Sequence, residues 1–319
     1  MCDWRPAASL ERLRLRARLI DQVRTFFSAR GVLEVETPLL ASATVTDTHL
    51  QSFEASREGR PVGYLQTSPE FAMKRLLAAG YGSVYQVCRA FRDGERGRLH
   101  LPEFTMLEWY RVGFDHHALM DEVEALLATL LGTAGSTRLT YRELFRRTLG
   151  LDPLTCDVER LRVLAEDLHV HGELDRDELL ALLLTHRIEP TFVPGSVLFV
   201  HDFPASQAAL ARLREDRDGI LVAERFEVYV GPIELANGFH ELRDAAEQRR
   251  RFERDLESRR VSGLAEPPID ERLLAALVHG LPECAGVALG FDRLVMLAAG
   301  AQSVAEVTAF PDDLRPSGC

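Results

Sequence analysis

The sequence lacks the features that mark membrane-spanning and secreted proteins. Its 319 residues contain no run of about eighteen apolar residues, which argues against a membrane-spanning helix. No apolar segment of the signal-peptide kind follows the N-terminal residues Met1–Pro6. The five cysteines are scattered and never form a C-x-x-C pair, which disfavours a disulfide framework or a zinc site. We therefore expect reduced thiols and a cytoplasmic protein.

The chain also lacks the positive charge that nucleic-acid-binding proteins usually carry. Its formal net charge is −11, whereas a protein that binds many phosphates generally has a basic face. Basic runs occur at Arg12–Arg18 and Arg249–Arg251, but both have acidic neighbours and helical patterns, which favours solvated helix faces. The composition thus argues against extensive nucleic-acid binding by this chain. With 46% hydrophobic and 27% charged residues, it is typical of a soluble globular protein.

Hydrophobic periodicity predicts a long helix near the start of the chain. Residues 9–30 place apolar side chains on one stripe and arginines opposite, with Ser9 as N-cap and Gly31 as the stop. Residues 32–38 then read as a short strand that ends at a proline. Further strands are predicted at 64–67, 84–88, 103–110, 197–200, 219–223, 225–230, 233–238 and 287–289, and further helices at 69–80, 241–260, 270–279 and 292–299.

The middle of the chain carries few candidate catalytic groups. Segments 116–131, 140–149, 157–168 and 175–186 are helical or mixed, and we interpret the region at about 112–200 as a helical insertion packed on the sheet. Hairpin-like strand pairs separated by long helices predict an α+β fold, with a mixed, mostly antiparallel sheet flanked by helices. No repeat or low-complexity linker divides the chain, so we expect a single domain over residues 1–319.

Two arginines, Arg92 and Arg293, are the strongest candidates for chemistry. Arg92 precedes a polar loop and an aromatic, carboxylate-bearing strand, and Arg293 follows a glycine-rich segment. A guanidinium is always charged and binds phosphate in a bidentate manner, which suits the attack of a carboxylate on a phosphate. A lone arginine more often forms a surface salt bridge, but these surroundings favour the phosphate interpretation.

Glu227 and Glu234 lie on neighbouring strand-like segments, seven residues apart. Carboxylates that converge near a polyphosphate normally hold Mg²⁺, which prefers oxygen ligands and neutralises the leaving group. The spacing alone is unspecific, and two exposed strand glutamates are the alternative interpretation.

These segments resemble the class II aminoacyl-tRNA synthetases, and the lysyl branch most. Cys88–Glu95 with His100–Tyr110 resembles motif 2, Gly286–Leu294 resembles motif 3, and the first helix and strand resemble motif 1, which forms the dimer interface in that family. The resemblance implies that Arg92 contacts the α-phosphate of ATP, that Arg293 contacts the γ-phosphate, and that Phe104 stacks on the adenine. The implied ATP site comprises Arg92, Asp93, Gly94, His100, Leu101, Phe104, Glu234, Leu235, Gly290 and Arg293, with Mg²⁺ at Glu227 and Glu234; His100 either touches phosphate or is a plain loop histidine.

The same resemblance implies a pocket for a lysine-like substrate. Such a substrate carries two ammonium groups, so its site needs carboxylates at both ends and a hydroxyl acceptor. By resemblance, Glu241 and Tyr110 lie at the side-chain amine, and Glu70 lies at the amino group nearer the carboxylate. The implied pocket comprises Ser68, Pro69, Glu70, Glu108, Tyr110, Asn237, Glu241 and Ala288.

We expect no anticodon-binding domain, because motif 1 begins almost at once, whereas lysyl-tRNA synthetases start with an OB-fold domain. A short, acidic, stand-alone catalytic domain is similar to the elongation factor P–lysine ligases, and Phe203–Leu210 and Ile233–Leu242 are very close to that family. The resemblance implies that ATP activates (R)-β-lysine or lysine, which is then transferred to the ε-amine of a lysine on elongation factor P. It also implies a homodimer, no membrane and no stable tRNA complex. Ala288, where lysyl-tRNA synthetases typically have glycine, either reshapes the pocket or is a simple small-residue exchange.

Two segments depart from the family pattern. Family members usually read Arg-Asn-Glu and His-Asn-Pro, where this chain has Arg92–Gly94 and His100–Pro102. The missing glutamate and asparagine are expected near the adenine, so Asp93, Glu95 or backbone groups would take their place. Two alternatives therefore stay open: a lysyl-type synthetase that charges tRNA without its anticodon domain, and a catalytically silent paralogue that senses lysine-like metabolites.

Overall fold

The structure, a computed structural model, describes residues 4–168 and 174–311. The helices are α1 (Leu10–Ser28), α2 (Glu70–Ala78), α3 (His116–Leu131), α4 (Tyr141–Leu149), α5 (Val158–Ala165), α6 (Arg176–Leu183), α7 (Ala245–Val261), α8 (Glu271–Gly280) and α9 (Phe291–Ala298). The strands are β1 (Leu33–Glu34), β2 (Leu40–Ala41), β3 (Glu54–Arg57), β4 (Arg60–Leu65), β5 (Val84–Phe91), β6 (Glu103–Val112), β7 (Thr137–Thr140), β8 (Val197–Pro204), β9 (Leu213–Glu215), β10 (Leu221–Val230), β11 (Ile233–His240) and β12 (Cys284–Gly290).

The chain folds into two compact units. Of the described residues, the first unit contains 4–113, 129–131 and 243–311. In it β5, β6 and β12 pair antiparallel, β1 adds to β5 in parallel, and β2, β4 and β3 form a separate small sheet. Phe27 of α1 packs against Tyr85 and Trp109, with ring centroids 4.5 Å and 5.3 Å away. The helix α1 therefore covers one face of the larger sheet in this unit.

The other face of that sheet is set by the alternation of side chains along β6. Because neighbouring residues of a strand point to opposite faces, Phe104, Glu108 and Tyr110 point away from the face on which Trp109 packs with α1. Antiparallel pairing places Ala288 opposite Glu108. Cross-strand partners share a face, so aromatic, carboxylate and small side chains are brought together on the side that α1 leaves open.

The second unit contains, of the described residues, 114–128, 132–168 and 174–242. Here β11, β10 and β8 pair antiparallel, β7 adds to β8 in parallel, and β9 pairs with the start of β10. Its core includes Tyr141, whose ring lies 4.5 Å from that of Phe145 and 4.8 Å from that of Phe203. The region predicted as an insertion, about 112–200, contains the helices α3 to α6 and the strand β7.

The predicted α+β class, with mixed and mostly antiparallel strands flanked by helices, is confirmed. Three local predictions were wrong. The strand at 32–38 is only Leu33–Glu34, and the strands at 219–223 and 225–230 are one strand, β10, whose register against β8 shifts between Ala223 and Phe226. The helix at 241–260 begins at Ala245, because Glu241 still bridges to Ala211 and Asp244 caps the helix. Among the helices of the described segments, none has both the length and the apolar character needed to cross a bilayer.

Candidate active site

The first unit brings His100 and Arg293 into contact, and the charge of Arg92 also acts on His100. The Arg293 Nη2 lies 2.6 Å from His100 Nε2, and its Nε donates to the Leu99 carbonyl at 3.2 Å. Burial and the Arg293 charge lower the pKa of His100, the Arg92 charge lowers it further, and Glu95 opposes them. The lowered pKa favours the neutral imidazole, and a guanidinium can only donate, so the short contact fits a tautomer in which Nε2 accepts from Arg293. The charges of both arginines predicted to bind phosphate therefore lower the pKa of the same histidine.

Arg293 is positioned by its neighbour Asp292 at the start of α9. Asp292 is buried, its Oδ1 lies 2.6 Å from the Arg16 guanidinium of α1, and its Oδ2 accepts from the backbone nitrogen of Thr105 at 2.8 Å. These bonds tie the first turn of α9 to α1 and to β6. The Arg293 side chain consequently starts from a fixed point of the fold.

Arg92 follows the last residue of β5 and lies beside Phe104. Its backbone nitrogen donates to the Pro102 carbonyl at 2.9 Å, which closes the base of the polar loop. The guanidinium carbon lies 5.1 Å from the Phe104 ring centroid, within the range of cation–π attraction, and Nη1 lies 3.5 Å from Glu95. The predicted adenine-stacking ring and the predicted α-phosphate ligand are therefore neighbours.

The two positions that depart from the family pattern have structural explanations. Gly94 has φ +79, in the left-handed region that side chains rarely adopt, and its nitrogen bonds to Asp93 Oδ1 at 2.8 Å. A glutamate at position 94 would be strained in this loop. Leu101 is 6% exposed, so its side chain is packed inside, whereas Glu95 lies beside Arg92.

A buried carboxyl group, Glu108, is the centre of the predicted amine pocket in this unit. Its Oε1 accepts from the Tyr110 hydroxyl at 2.6 Å and its Oε2 from the Ser68 hydroxyl at 2.7 Å. Burial, and then the charge of Glu70, raises the pKa of Glu108 to about 7. Such a carboxyl is easily ionised by an ammonium group that enters the pocket, since the cation offsets the cost of its burial.

Glu70 is paired with the only lysine of the chain, Lys74. The ammonium nitrogen lies 2.6 Å from Glu70 Oε1, one turn along α2, and Lys74 is 1% exposed. An internal ammonium therefore already contacts the carboxylate that we assigned to the substrate amino group. Sequence reasoning missed Lys74, although its uniqueness in the composition was a visible signal.

In the second unit, the strands β10 and β11 bring a group of polar side chains to one face. Glu227 pairs with Asn237 and Tyr229 pairs with Glu234, because the register slips by one residue at Leu235. In a regular strand, residues three positions apart point to opposite faces. Without this β-bulge, Glu234 would therefore point away from the face that Asn237 shares with Glu227. The bulge therefore places both predicted metal ligands on the same face.

Glu227 and Glu234 line a cavity of about 190 Å³ together with Arg225 and Tyr229. The Glu227 oxygens contact Arg225 Nη2 at 2.5 Å and the Tyr229 hydroxyl at 2.6 Å. Burial raises the pKa of Glu227; Arg225 opposes this rise and the Glu234 charge adds to it. Two carboxylates in one cavity, one of which has its pKa raised partly by the charge of the other, fit a divalent cation that takes oxygen ligands. Arg225 and Tyr229 were not predicted from the sequence.

Of the remaining predicted residues of the second unit, Leu235 and Glu241 are buried and Asn237 is half-buried. Asn237 Oδ1 accepts from Arg225 Nε at 3.3 Å, Leu235 is 2% exposed and Glu241 is 1% exposed. Leu235 is the bulged residue, so only its backbone is placed to meet a ligand. The structure thus groups the predicted residues into an arginine–histidine cluster and a carboxylate pocket in the first unit, and a carboxylate pair in the second.

The chain is similar to proteins of known family. The family model described as tRNA synthetases class II (D, K and N) matches residues 1–314. The elongation factor P–(R)-β-lysine ligase of Vibrio cholerae serotype O1 is 54% identical over 318 residues, which cover 97% of this chain and 98% of that protein. Ligases of the same name from Edwardsiella ictaluri and Proteus mirabilis are each 51% identical, over 322 and 320 residues, with 98% of each chain covered.

Proposed function

Because this chain belongs to the class II tRNA synthetases (D, K and N), we propose that it is an ATP-dependent ligase that modifies elongation factor P. It activates (R)-β-lysine, or lysine, as an acyl-adenylate and transfers the acyl group to the ε-amine of one lysine of that protein. The relatives of the same length carry this activity in their names. The observation that carries the proposal is the Arg92–His100–Arg293 cluster, in the same unit as the buried Glu108 pocket.

The first step joins two anions, which is the difficulty that the arginines address. A carboxylate oxygen of the amino acid forms a bond to the α-phosphorus of ATP, the bond from that phosphorus to the bridging oxygen breaks, and pyrophosphate leaves. Arg92 and Arg293 keep their positive charge throughout and neutralise the phosphate oxygens on which charge develops. No side chain has to remove a proton in this step, so positioning of the two reactants carries the catalysis.

The second step is aminolysis of the adenylate. The neutral ε-amine of the acceptor lysine attacks the acyl carbon, an amide bond forms, the carbon–oxygen bond to AMP breaks, and the amine loses a proton. Glu108, with Ser68 and Tyr110 bonded to its two oxygens, holds an ammonium group of the substrate. Glu227 and Glu234 would hold Mg²⁺, which supplies neutralisation of the pyrophosphate charge.

The acceptor is tested by transfer of labelled (R)-β-lysine to purified elongation factor P, followed by intact-mass spectrometry. We expect one acyl adduct on wild-type elongation factor P and none on a variant whose acceptor lysine is replaced by arginine. The ligase is not expected to acylate a lysine of its own, because its only lysine, Lys74, is buried and offers no exposed ε-amine. Acylation of tRNA in a parallel reaction, with none of elongation factor P, would instead establish a tRNA-charging enzyme.

Ala288 is expected to influence which lysine isomer is used. It pairs with Glu108 across β6 and β12, so its methyl group borders the amine pocket. We expect Ala288→Gly to improve the kcat/KM for α-lysine relative to (R)-β-lysine by about tenfold, since one methyl group in a pocket changes discrimination by about that much. Pyrophosphate exchange with each isomer measures this ratio.

The matched control for this change is Ala285→Gly. Ala285 lies on the same strand, three residues earlier, so its side chain is on the opposite face. Both variants lose one methyl group and gain the same backbone freedom. An isomer ratio that stays at the wild-type value in Ala288→Gly, or shifts equally in Ala285→Gly, would remove Ala288 from selectivity.

A further inference from the structure

The second unit carries a group of imidazoles that the proposed reaction does not use. This histidine cluster is defined as His116, His117 and His201, with Asp202 beside them. One ligand atom from each of the three histidines lies within 4.8 Å of the others. The ring centroid of His117 lies 4.1 Å from that of His116 and 5.3 Å from that of His201. The first turn of α3, with His116 and His117, and the strand β8, with His201, thus bring three candidate nitrogen ligands close together.

The central member, His116, is buried without hydrogen bonds to the described residues. It is 2% exposed, and neither ring nitrogen has a hydrogen-bond partner there. The nearest carboxylate oxygen, Asp202 Oδ1, is 3.6 Å from Nε2, which is longer than a hydrogen bond. A buried imidazole left in this state costs free energy, whereas coordination of a cation would satisfy it.

Asp202 is held beside the cluster by an uncommon backbone conformation. Its φ is +58, in the left-handed region, and β10 shifts register opposite this part of β8. Oδ2 bonds to Arg214 at 2.5 Å and lies 3.2 Å from His201 Nδ1, so Oδ1 is left facing His116. A carboxylate behind metal-binding imidazoles is the usual arrangement for orienting their rings.

The outermost member, His117, is exposed, so an ion has a path to the cluster from solvent. A second group around His116 is less suited, because its Glu224 already contacts Arg212 at 3.2 Å and His240 at 2.9 Å.

We propose that His116, His117 and His201 form a binding site for a divalent transition metal of the Zn²⁺ class, with Asp202 orienting the rings. Zinc–nitrogen bonds of about 2.0–2.1 Å bring tetrahedral ligand atoms to about 3.3 Å from one another, so the cluster closes slightly around the ion. Imidazole ligands favour such metals over Mg²⁺. The absence of C-x-x-C pairs argues against a zinc site built from thiolates, but it does not argue against one built from imidazoles. The bound ion ties the start of α3 to β8.

The site is tested on the full-length, tag-free protein in buffer that contains millimolar Mg²⁺. Zn²⁺ binding is measured by calorimetry, the visible spectrum of added Co²⁺ reports tetrahedral coordination, and the melting temperature is followed with each metal. The variants are His117→Gln and His201→Gln, which spare the buried His116. His186→Gln is the matched control, because His186 is an exposed histidine of the same unit.

We expect one equivalent of Zn²⁺ to bind the parent and His186→Gln with equal affinity, and to raise their melting temperature by several degrees. His117→Gln and His201→Gln should bind at least about tenfold more weakly and show no such rise. The proposal is overturned by a parent that binds no Zn²⁺ saturably, or by equal binding in all four proteins. Neither outcome depends on the ligase reaction, because no readout uses ATP, lysine or elongation factor P.

Discussion

Replacing Arg293 with alanine is expected to lower the rate of lysine-dependent ATP–pyrophosphate exchange by about a thousandfold, which is typical for removal of a charged group that stabilises a phosphoryl transition state. The guanidinium contacts His100 and the Leu99 carbonyl, and these contacts are replaceable by water. The first turn of α9 is anchored through Asp292, which is unchanged in this variant. The melting temperature should therefore stay close to that of the parent.

The control is Arg98→Ala, an exposed arginine of the polar loop that also carries His100, the residue that Arg293 contacts; Arg98 donates to the Gln302 carbonyl at 3.2 Å. It removes the same charge from the same region, so exchange in this variant should stay within about twofold of the parent. An Arg293→Ala protein with near-normal exchange would show that this arginine is structural. Equal losses in both variants would indicate a general effect of charge and not a specific phosphate contact.

Glu108→Gln is expected to raise the KM for the amino acid by about a hundredfold. The glutamine keeps the shape of the side chain and can still bond to Ser68 and Tyr110, but it offers no charge to an ammonium group, and a lost charged hydrogen bond costs about 1.5–3 kcal/mol. Exchange measured over a range of lysine concentrations gives KM and kcat separately. The KM for ATP should change little, because the phosphate cluster does not include Glu108.

Glu108→Gln weakens substrate binding, but it is expected to raise the stability of the fold at high pH. This pH dependence follows from the raised pKa of Glu108 in the parent. Glu108 titrates at about 7 in the folded protein and at about 4.5 when unfolded, so the folded state binds the extra proton between these values. Its stabilising contribution is complete below pH 4.5 and is lost as the pH rises through 7. Glutamine does not titrate. We therefore expect the variant to gain up to about 3 kcal/mol over the parent as the pH rises from about 4.5 to about 8.

Denaturant unfolding at about pH 5 and about pH 8 measures this difference, and Glu103→Gln is the control. Glu103 lies at the exposed start of the same strand, 3.5 Å from Arg89, and should change stability by less than about 1 kcal/mol at either pH. If the gap between Glu108→Gln and the parent were the same at both pH values, Glu108 would not carry the raised pKa.

Much of the fold could be predicted because its elements have local signals. Helix α1 begins after Ser9, whose hydroxyl caps it as predicted, and β6 was recognised from its apolar and aromatic run. Motifs with several spaced residue types also located Arg92, Arg293 and Glu108, which the structure places in one unit. The roles of these residues remain predictions.

Other features could not be read from the sequence because they depend on register and on distant partners. The bulge at Leu235 puts Glu234 on the same face as Glu227, and no local sequence pattern predicts this bulge. The contact of Lys74 with Glu70 follows from one turn of helix, but the burial of Lys74 comes from the rest of the unit. His116 and His201 are 85 residues apart and meet only because α3 begins beside β8.

The most direct test of the ligase assignment is ATP–pyrophosphate exchange in Mg²⁺ buffer with (R)-β-lysine, with α-lysine and without an amino acid. We predict exchange that requires a lysine and is faster with the β-isomer, because the arginine cluster and the Glu108 pocket serve one adenylation reaction. A folded protein that catalyses no exchange with either lysine would contradict this account. That outcome would indicate that the loop around Gly94 and Leu101 does not bind ATP productively. The chain would then be a catalytically silent, lysine-sensing relative.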